Sequence, residues 1–287
     1  MSSKPVLLRC KDRTVDLTHP LVMGVINVTP DSFSDGGRFL DADAAVAYGL
    51  ALAEAGAACI DVGGESTRPG AAPVALEEEL RRVIPVIERL RAASAVVISI
   101  DTSKPEVMRA AALAGAGLVN DVRALREPGA LEAARASGCA VCLMHMQGEP
   151  RTMQLAPTYT DVVSEVGAFL AARAGVCREA GFGADQLLID PGFGFGKTLE
   201  HNLTLLRRLE ELTVIGPPVL VGLSRKSMVG KLTGRPEAER QSGSVVLAVI
   251  AALAGARVVR AHDVAATVEA LRLVAAVRDV PAARAGR

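Results

Sequence analysis

Eight short apolar runs, each followed by an amphipathic stretch that is usually Ala-rich, recur along the chain. This alternation constrains the fold more than any other feature. The runs lie near 21–26, 58–62, 96–100, 117–119, 139–144, 186–189, 218–221 and 257–260. The amphipathic stretches lie at 42–55, 74–93, 104–115, 128–137, 161–180, 199–210, 236–254 and 264–278. The runs are rich in Val, Ile and Leu with little polar alternation, which marks strands buried on both faces of a parallel sheet. Eight strand–helix units predict an α/β fold, a (β/α)8 TIM barrel, as a single domain over 1–287. A doubly wound open sheet is the rival. It usually has fewer strands and a Gly-rich first turn, and no such turn follows 21–26. The opening residues "VLLRC-KDR-TVDL" predict a short hairpin that plugs the N-terminal end of the barrel.

Half of the 287 residues are hydrophobic, enough for a large core, and with aromatics at 3% the burial falls to Ala, Val and Leu. The formal net charge is zero and no basic block occurs, so no nucleic-acid or anionic membrane partner is expected. The apolar run near the N-terminus is short and leads into Lys11, Asp12 and Arg13, unlike a signal peptide. The longest apolar stretch, "VVLAVIAALAGA", is too short to span a bilayer. A cytoplasmic enzyme is expected. Cys139–Ala–Val–Cys142 spells CxxC, which invites a redox or zinc reading. In a strand, however, residues three apart face opposite sides. Buried core thiols are the favoured reading, and no second Cys/His cluster supports zinc.

Polar groups mark the end of every strand: Asn27; Asp61; Asp101; Asn120 and Asp121; His145 after Met144; Asp190; Ser224, Arg225 and Lys226; Arg260 and His262. One such residue could merely cap a helix, as in Asp101–Thr–Ser–Lys–Pro105. Eight of them predict convergence on the C-terminal mouth, where active sites form in this fold. The carboxylates and amides Asp61, Asp101, Asn120 and Asp190 suit a ligand with its own N–H groups, such as a guanidine-like heterocycle. They also suit Mg²⁺ on oxygen ligands; without His-x-His or HExxH spacing, transition metals are not expected. Arg68, Arg260 and His262 read as an anion clamp. No Ser–His or Cys–His nucleophile pair is apparent. Loops 27–39 and 63–73 exceed the about 2–6 residues usual in α/β units, and they read as lids. "LLIDPGFGFGKT" (187–198) looks like a phosphate loop but misses both known patterns. The P-loop glycine position holds Pro191, which has no N–H, and the third dinucleotide glycine falls on Lys197.

The segments "VMGVINVTPDSFSDGGRF", "IDVGGESTRPGA", "SIDTSKPEV", "LVNDVRAL", "LMHMQGEPRTMQ", "IDPGFGFGKTLEHNL", "VGLSRKSMVGKLTG" and "VVRAHDV" resemble, in order, the dihydropteroate synthase family. The resemblance runs from about residue 20 to the C-terminus. It implies a (β/α)8 barrel that joins 6-hydroxymethyl-7,8-dihydropterin pyrophosphate to p-aminobenzoate and releases pyrophosphate by a dissociative route. It implies Mg²⁺ as cofactor and a homodimer. By resemblance, Asp190 accepts the pterin N3–H and 2-amino group. Asp101 and Asn120 meet the other ring edges, Lys226 donates to the carbonyl and a ring nitrogen, and Met144 and Phe195 give apolar contact. Asn27, Arg68, Arg260 and His262 hold the pyrophosphate, with Mg²⁺ on Asn27 and Asp35. Thr67, Pro69 and Ser227 form the p-aminobenzoate pocket. Asp101, Lys226, Arg260 and His262 are the catalytic set. The alternatives are a methyltetrahydrofolate methyltransferase, a pterin-binding relative without synthase activity, and an unrelated barrel acting on a phosphorylated sugar.

Overall fold

A computed structural model describes residues 5–28, 38–66, 72–149 and 152–279 of the chain. The expected hairpin is present. Strands β1 (Leu7–Cys10) and β2 (Arg13–Asp16) pair antiparallel, with Lys11 left-handed in the turn at φ 60°.

Eight parallel strands follow: β3 (Leu21–Asn27), β4 (Cys59–Gly63), β5 (Val97–Asp101), β6 (Leu118–Asp121), β7 (Ala140–Met144), β8 (Leu187–Asp190), β9 (Leu220–Gly222) and β10 (Val258–Ala261). They form one sheet in the order β8-β7-β6-β5-β4-β3-β10-β9. A parallel bridge between Ile189 and Val219 brings the two edges together and closes the barrel. Helices α1 (Arg38–Glu54), α2 (Leu76–Ala93), α3 (Pro105–Ala114), α4 (Ala130–Ser137), α5 (Val162–Glu179), α6 (Leu199–Arg207), α7 (Glu210–Thr213), α8 (Ser227–Thr233), α9 (Gln241–Leu253) and α10 (Val264–Asp279) lie between and after the strands. Helix α8, and α7 beyond Glu210, lie outside the amphipathic stretches expected from the sequence.

Strand alternation divides the core in two. Val22, Ile26, Ile60, Val62, Ile98, Ile100, Val141 and Leu143 pack outward in the layer they share with the helices. Met23, Cys59, Val97, Leu118, Ala140, Cys142, Leu188, Leu220 and Val258 point inward and pack on Leu8, Cys10 and Leu17 of the hairpin. The hairpin is therefore an apolar plug at the N-terminal end. Cys139 belongs to the outer layer and Cys142 to the inner one, the opposite-face arrangement expected from their spacing. Among the described residues no helix is long and apolar enough to cross a membrane.

Candidate active site at the C-terminal mouth

Above the plug the inward positions change from apolar to polar. In the pairing register, Asn27, Gly63, Asp101 and Asn120 are successive partners across β3 to β6, and Met144 partners Asp190 across β7 and β8. A Cβ on Gly63 would lie 3.5 Å from Asp101 Cβ and 3.9 Å from Asn27 Oδ1, so glycine keeps the space between two site residues open.

Arg260 reaches across the barrel from β10. Its Nε donates to Asp61 Oδ2 at 2.6 Å and its Nη2 to Asp101 Oδ2 at 2.9 Å. Asn120 Nδ2 donates to the same Asp61 oxygen at 3.0 Å. Asp61 Oδ1 and the Ser99 hydroxyl are buried without a partner among the described residues. One cation is thus shared by two buried carboxylates, the pairing that buried charge requires. Burial and the charge of Asp61 push the Asp101 carboxyl up, against the opposing pull of Arg260.

Asp190 is buried at the end of β8. Its Oδ1 accepts the Gly192 N–H at 2.7 Å, and its Oδ2 accepts no hydrogen bond from a described residue. Burial raises its carboxyl, opposed by Lys226 and the Gly192 N–H. Lys226, immediately before α8, donates to Phe193 O, and its Nζ stands 4.5 Å from the Phe195 ring centroid. Burial draws this amine down to about 8. Ser227 is the first residue of α8. Met144 packs with Val122, Met146 and Met153 against Phe195, an apolar wall beside the polar floor.

His262 follows β10. Its Nδ1 lies 3.0 Å from Ser224 Oγ, and the same hydroxyl oxygen accepts its backbone N–H at 3.2 Å. This Ser–His contact is not expected from the sequence, because 38 residues separate the two and the pairing of β9 with β10 brings them together. Arg225, left-handed at φ 57°, is clamped to Asp263 at 2.6 and 3.1 Å and ties the β9 and β10 ends together.

Two strand-end residues do not join the mouth as expected. Asp121 follows inward-pointing Asn120 and so faces away, accepting from the Ser103 hydroxyl and from the N–H groups of Arg123 and Leu125 at 2.8 and 2.7 Å. His145 likewise follows inward-pointing Met144 and lies buried against Lys197, 2.9 Å from its Nζ. Asp35, Thr67, Arg68 and Pro69 lie outside the described residues, as do the rest of 29–37 and 67–71 in the two candidate lid loops. The apolar wall adds Val122, Met146 and Met153 to the residues expected from the sequence. The alternation Met144–His145–Met146 was a signal for Met146; Met153 had none.

The family model described as pterin binding enzyme matches residues 23–262. A dihydropteroate synthase of Escherichia coli (strain K12) is 56% identical over 263 residues, covering 92% of this chain and 93% of that protein. The chain belongs to the dihydropteroate synthase family. A solved Xanthomonas albilineans dihydropteroate synthase with 4-aminobenzoic acid superposes with TM-score 0.92 at 55% identity, covering 97% of this chain and all of that one. Another from that organism, in complex with 7,8-dihydropteroate, gives TM-score 0.88 at 53% identity over 96% of this chain and all of that one. The match to the family model begins at Met23 in β3 and ends at His262 just past β10, so it takes in all of the strand ring except Leu21 and Val22, and every described mouth residue named above.

Proposed function

We propose that this chain condenses 6-hydroxymethyl-7,8-dihydropterin pyrophosphate with p-aminobenzoate to give 7,8-dihydropteroate and pyrophosphate. The observation that carries the reading is Asp190: a buried carboxylate at the mouth with one oxygen taken by its own loop and the other uncommitted among described residues. Such a group matches the paired N–H donors of a pterin guanidine edge. Asp101 and Asn120 meet the other ring edges, Lys226 donates to the ring carbonyl and a ring nitrogen, and Met144 and Phe195 give apolar contact.

Arg260, His262, Asn27 and Arg68 hold the pyrophosphate. Thr67, Pro69 and Ser227 form the p-aminobenzoate pocket. Asn27 fits a role in holding Mg²⁺: it is half-buried at a strand end, and its carboxamide makes no hydrogen bond to a described residue. Among the described residues no three His, Cys, Asp or Glu gather as a cage. That suits an ion held by one or two protein oxygens, here Asn27 and Asp35, together with substrate phosphate oxygens. Bound there, Mg²⁺ would neutralise charge on the leaving pyrophosphate.

The route is dissociative. The exocyclic C–O bond breaks with its electron pair going to pyrophosphate, and the electron-rich dihydropterin carries the resulting positive charge beside Asp101. The arylamine nitrogen then forms the new C–N bond and sheds a proton. Ser224 holds the His262 ring for the anion. Catalysis is positioning plus electrostatic stabilisation.

We take the chain as one domain acting in the cytoplasm, where its five free, buried thiols would stay reduced. We also take it to be a homodimer through the outer face of α9 and α10, where Val246, Ile250, Leu253, Leu273 and Val277 are exposed. The activity is tested by following pyrophosphate with each substrate alone and with both.

A further inference from the structure

The loop between β8 and α6, residues 191–198, carries the glycines and lysine of a phosphate loop, yet its backbone is turned the other way. Five consecutive carbonyls are each taken by a side chain. Gly192 O and Phe195 O accept from Lys197 Nζ at 3.0 and 3.1 Å. Phe193 O accepts from Lys226 Nζ, Gly194 O from Gln154 Nε2, and Gly196 O from the Tyr159 hydroxyl at 2.8 Å. The Gly192 and Gly194 N–H groups donate to Asp190 Oδ1 and Asn202 Oδ1, each at 2.7 Å. An anion-binding nest needs converging N–H groups. Here two of the carbonyls, Gly192 O and Phe195 O, converge on a cation instead, and that cation is Lys197. Gly192 and Gly196, left-handed at φ 68° and 61°, let the chain wrap this closely; a Cβ on either would strike the His145 or Gln147 carbonyl.

Lys197 is only 3% exposed, and a lysine is almost never buried without compensation. Its three donors are matched by Gly192 O, Phe195 O and His145 Nδ1, the last at 2.9 Å. Burial draws the Lys197 amine down to about 7, opposed by Asp190; below that pH it is an ammonium that can only donate, so His145 Nδ1 is then a bare acceptor and the ring a neutral Nε2–H tautomer. Burial and the charge of Lys197 lower His145 to about 3, in agreement with that state. The ring is fixed edge-on to Phe169 at 5.0 Å. The His145 N–H, in turn, donates to Asp190 O at 2.9 Å.

We propose that Lys197 is a positioning residue for the pterin subsite: its buried ammonium fastens the 191–197 loop to His145 and so sets Asp190, Phe195 and Lys226. The proposal rests on the pterin reading given above. Three paths lead from the ammonium to the subsite. Gly192, held by its carbonyl, aims its N–H at Asp190 Oδ1. Phe195, held by its carbonyl, is placed beneath Lys226. Phe193, between them, gives Lys226 its acceptor.

The test is Lys197→Met in the full chain, which keeps bulk and removes all three donors. Steady-state kinetics should show KM for the pterin pyrophosphate raised about ten-fold or more, KM for p-aminobenzoate within about two-fold, and kcat little changed. A folded variant with unaltered pterin KM overturns the proposal, as does an equal rise for both substrates, which would mark general damage. A wild-type chain inert towards the pterin would instead overturn the function itself. If Lys197→Met does not fold, Lys197→Leu, which also removes all three donors, is read by the same criteria. If neither folds, the wild type decides through ¹⁵N resonances of His145. A neutral Nε2–H tautomer near pH 6, where Lys197 is charged, supports the Lys197 contact, and a ring protonated on Nδ1 at that pH overturns it.

Discussion

Arg260 Nε lies 2.6 Å from Asp61 Oδ2, deep in the barrel where Asp61 is fully buried. The same guanidinium holds Asp101, so Asp61 is the anchor that lets one arginine stand between two site elements. Asp61→Ala would remove that anchor and leave Asn120 Nδ2 without its acceptor. Breaking a buried pair in this way costs about 3–5 kcal/mol. Urea unfolding should show a loss of that order; a loss near zero would mean that Asp61 does not carry the pair.

Asp190→Asn exchanges a two-acceptor group for one acceptor and one donor. Facing a guanidine edge, one donor pair then clashes or goes unpaired, at a cost of about 1–3 kcal/mol. Calorimetry with a pterin should show affinity lower by roughly ten- to hundred-fold. Unchanged affinity would remove Asp190 from the subsite.

Lys226 sets an alkaline limit. Burial draws its amine down to about 8, so the donor is charged below that pH and lost as pH rises through it. Pterin affinity should fall accordingly above about pH 8, and Lys226→Met should bind weakly with no such fall. An alkaline limb that persists in Lys226→Met would assign the titration to another group.

The strands were legible because burial on both faces writes a continuous apolar run, and each observed strand lies within one or two residues of its run. Helix α8 was not legible: its seven residues, Ser227–Thr233, give too few turns for a period to show. Asn120 and Asp190 could be sent to the mouth from strand ends alone. Asp121 and His145 could not, because adjacent strand residues face opposite ways and the register was unknown. The Arg260–Asp61–Asp101 bridge joins residues 199 and 159 positions apart and required the pairing of the last strand, β10, with the first barrel strand, β3. Lys197 had a visible motif, but its partners are backbone carbonyls, which no residue pattern displays.

Cys139 and Cys142 should not form a disulfide, since they pack on opposite faces of β7. Burial raises both thiols, leaving little thiolate to react. A thiol reagent should label neither in the native protein and both in guanidinium. Rapid native labelling, or a 139–142 crosslink under mild oxidant, would contradict this placement.

The central claim is tested most directly by incubating the purified chain with Mg²⁺, the pterin pyrophosphate and p-aminobenzoate, and measuring pyrophosphate and 7,8-dihydropteroate together. The account predicts that they form in equal amounts and that 7,8-dihydropteroate forms only when both organic substrates are present. Pyrophosphate released at the same rate without p-aminobenzoate, or no product with both substrates present, would contradict it.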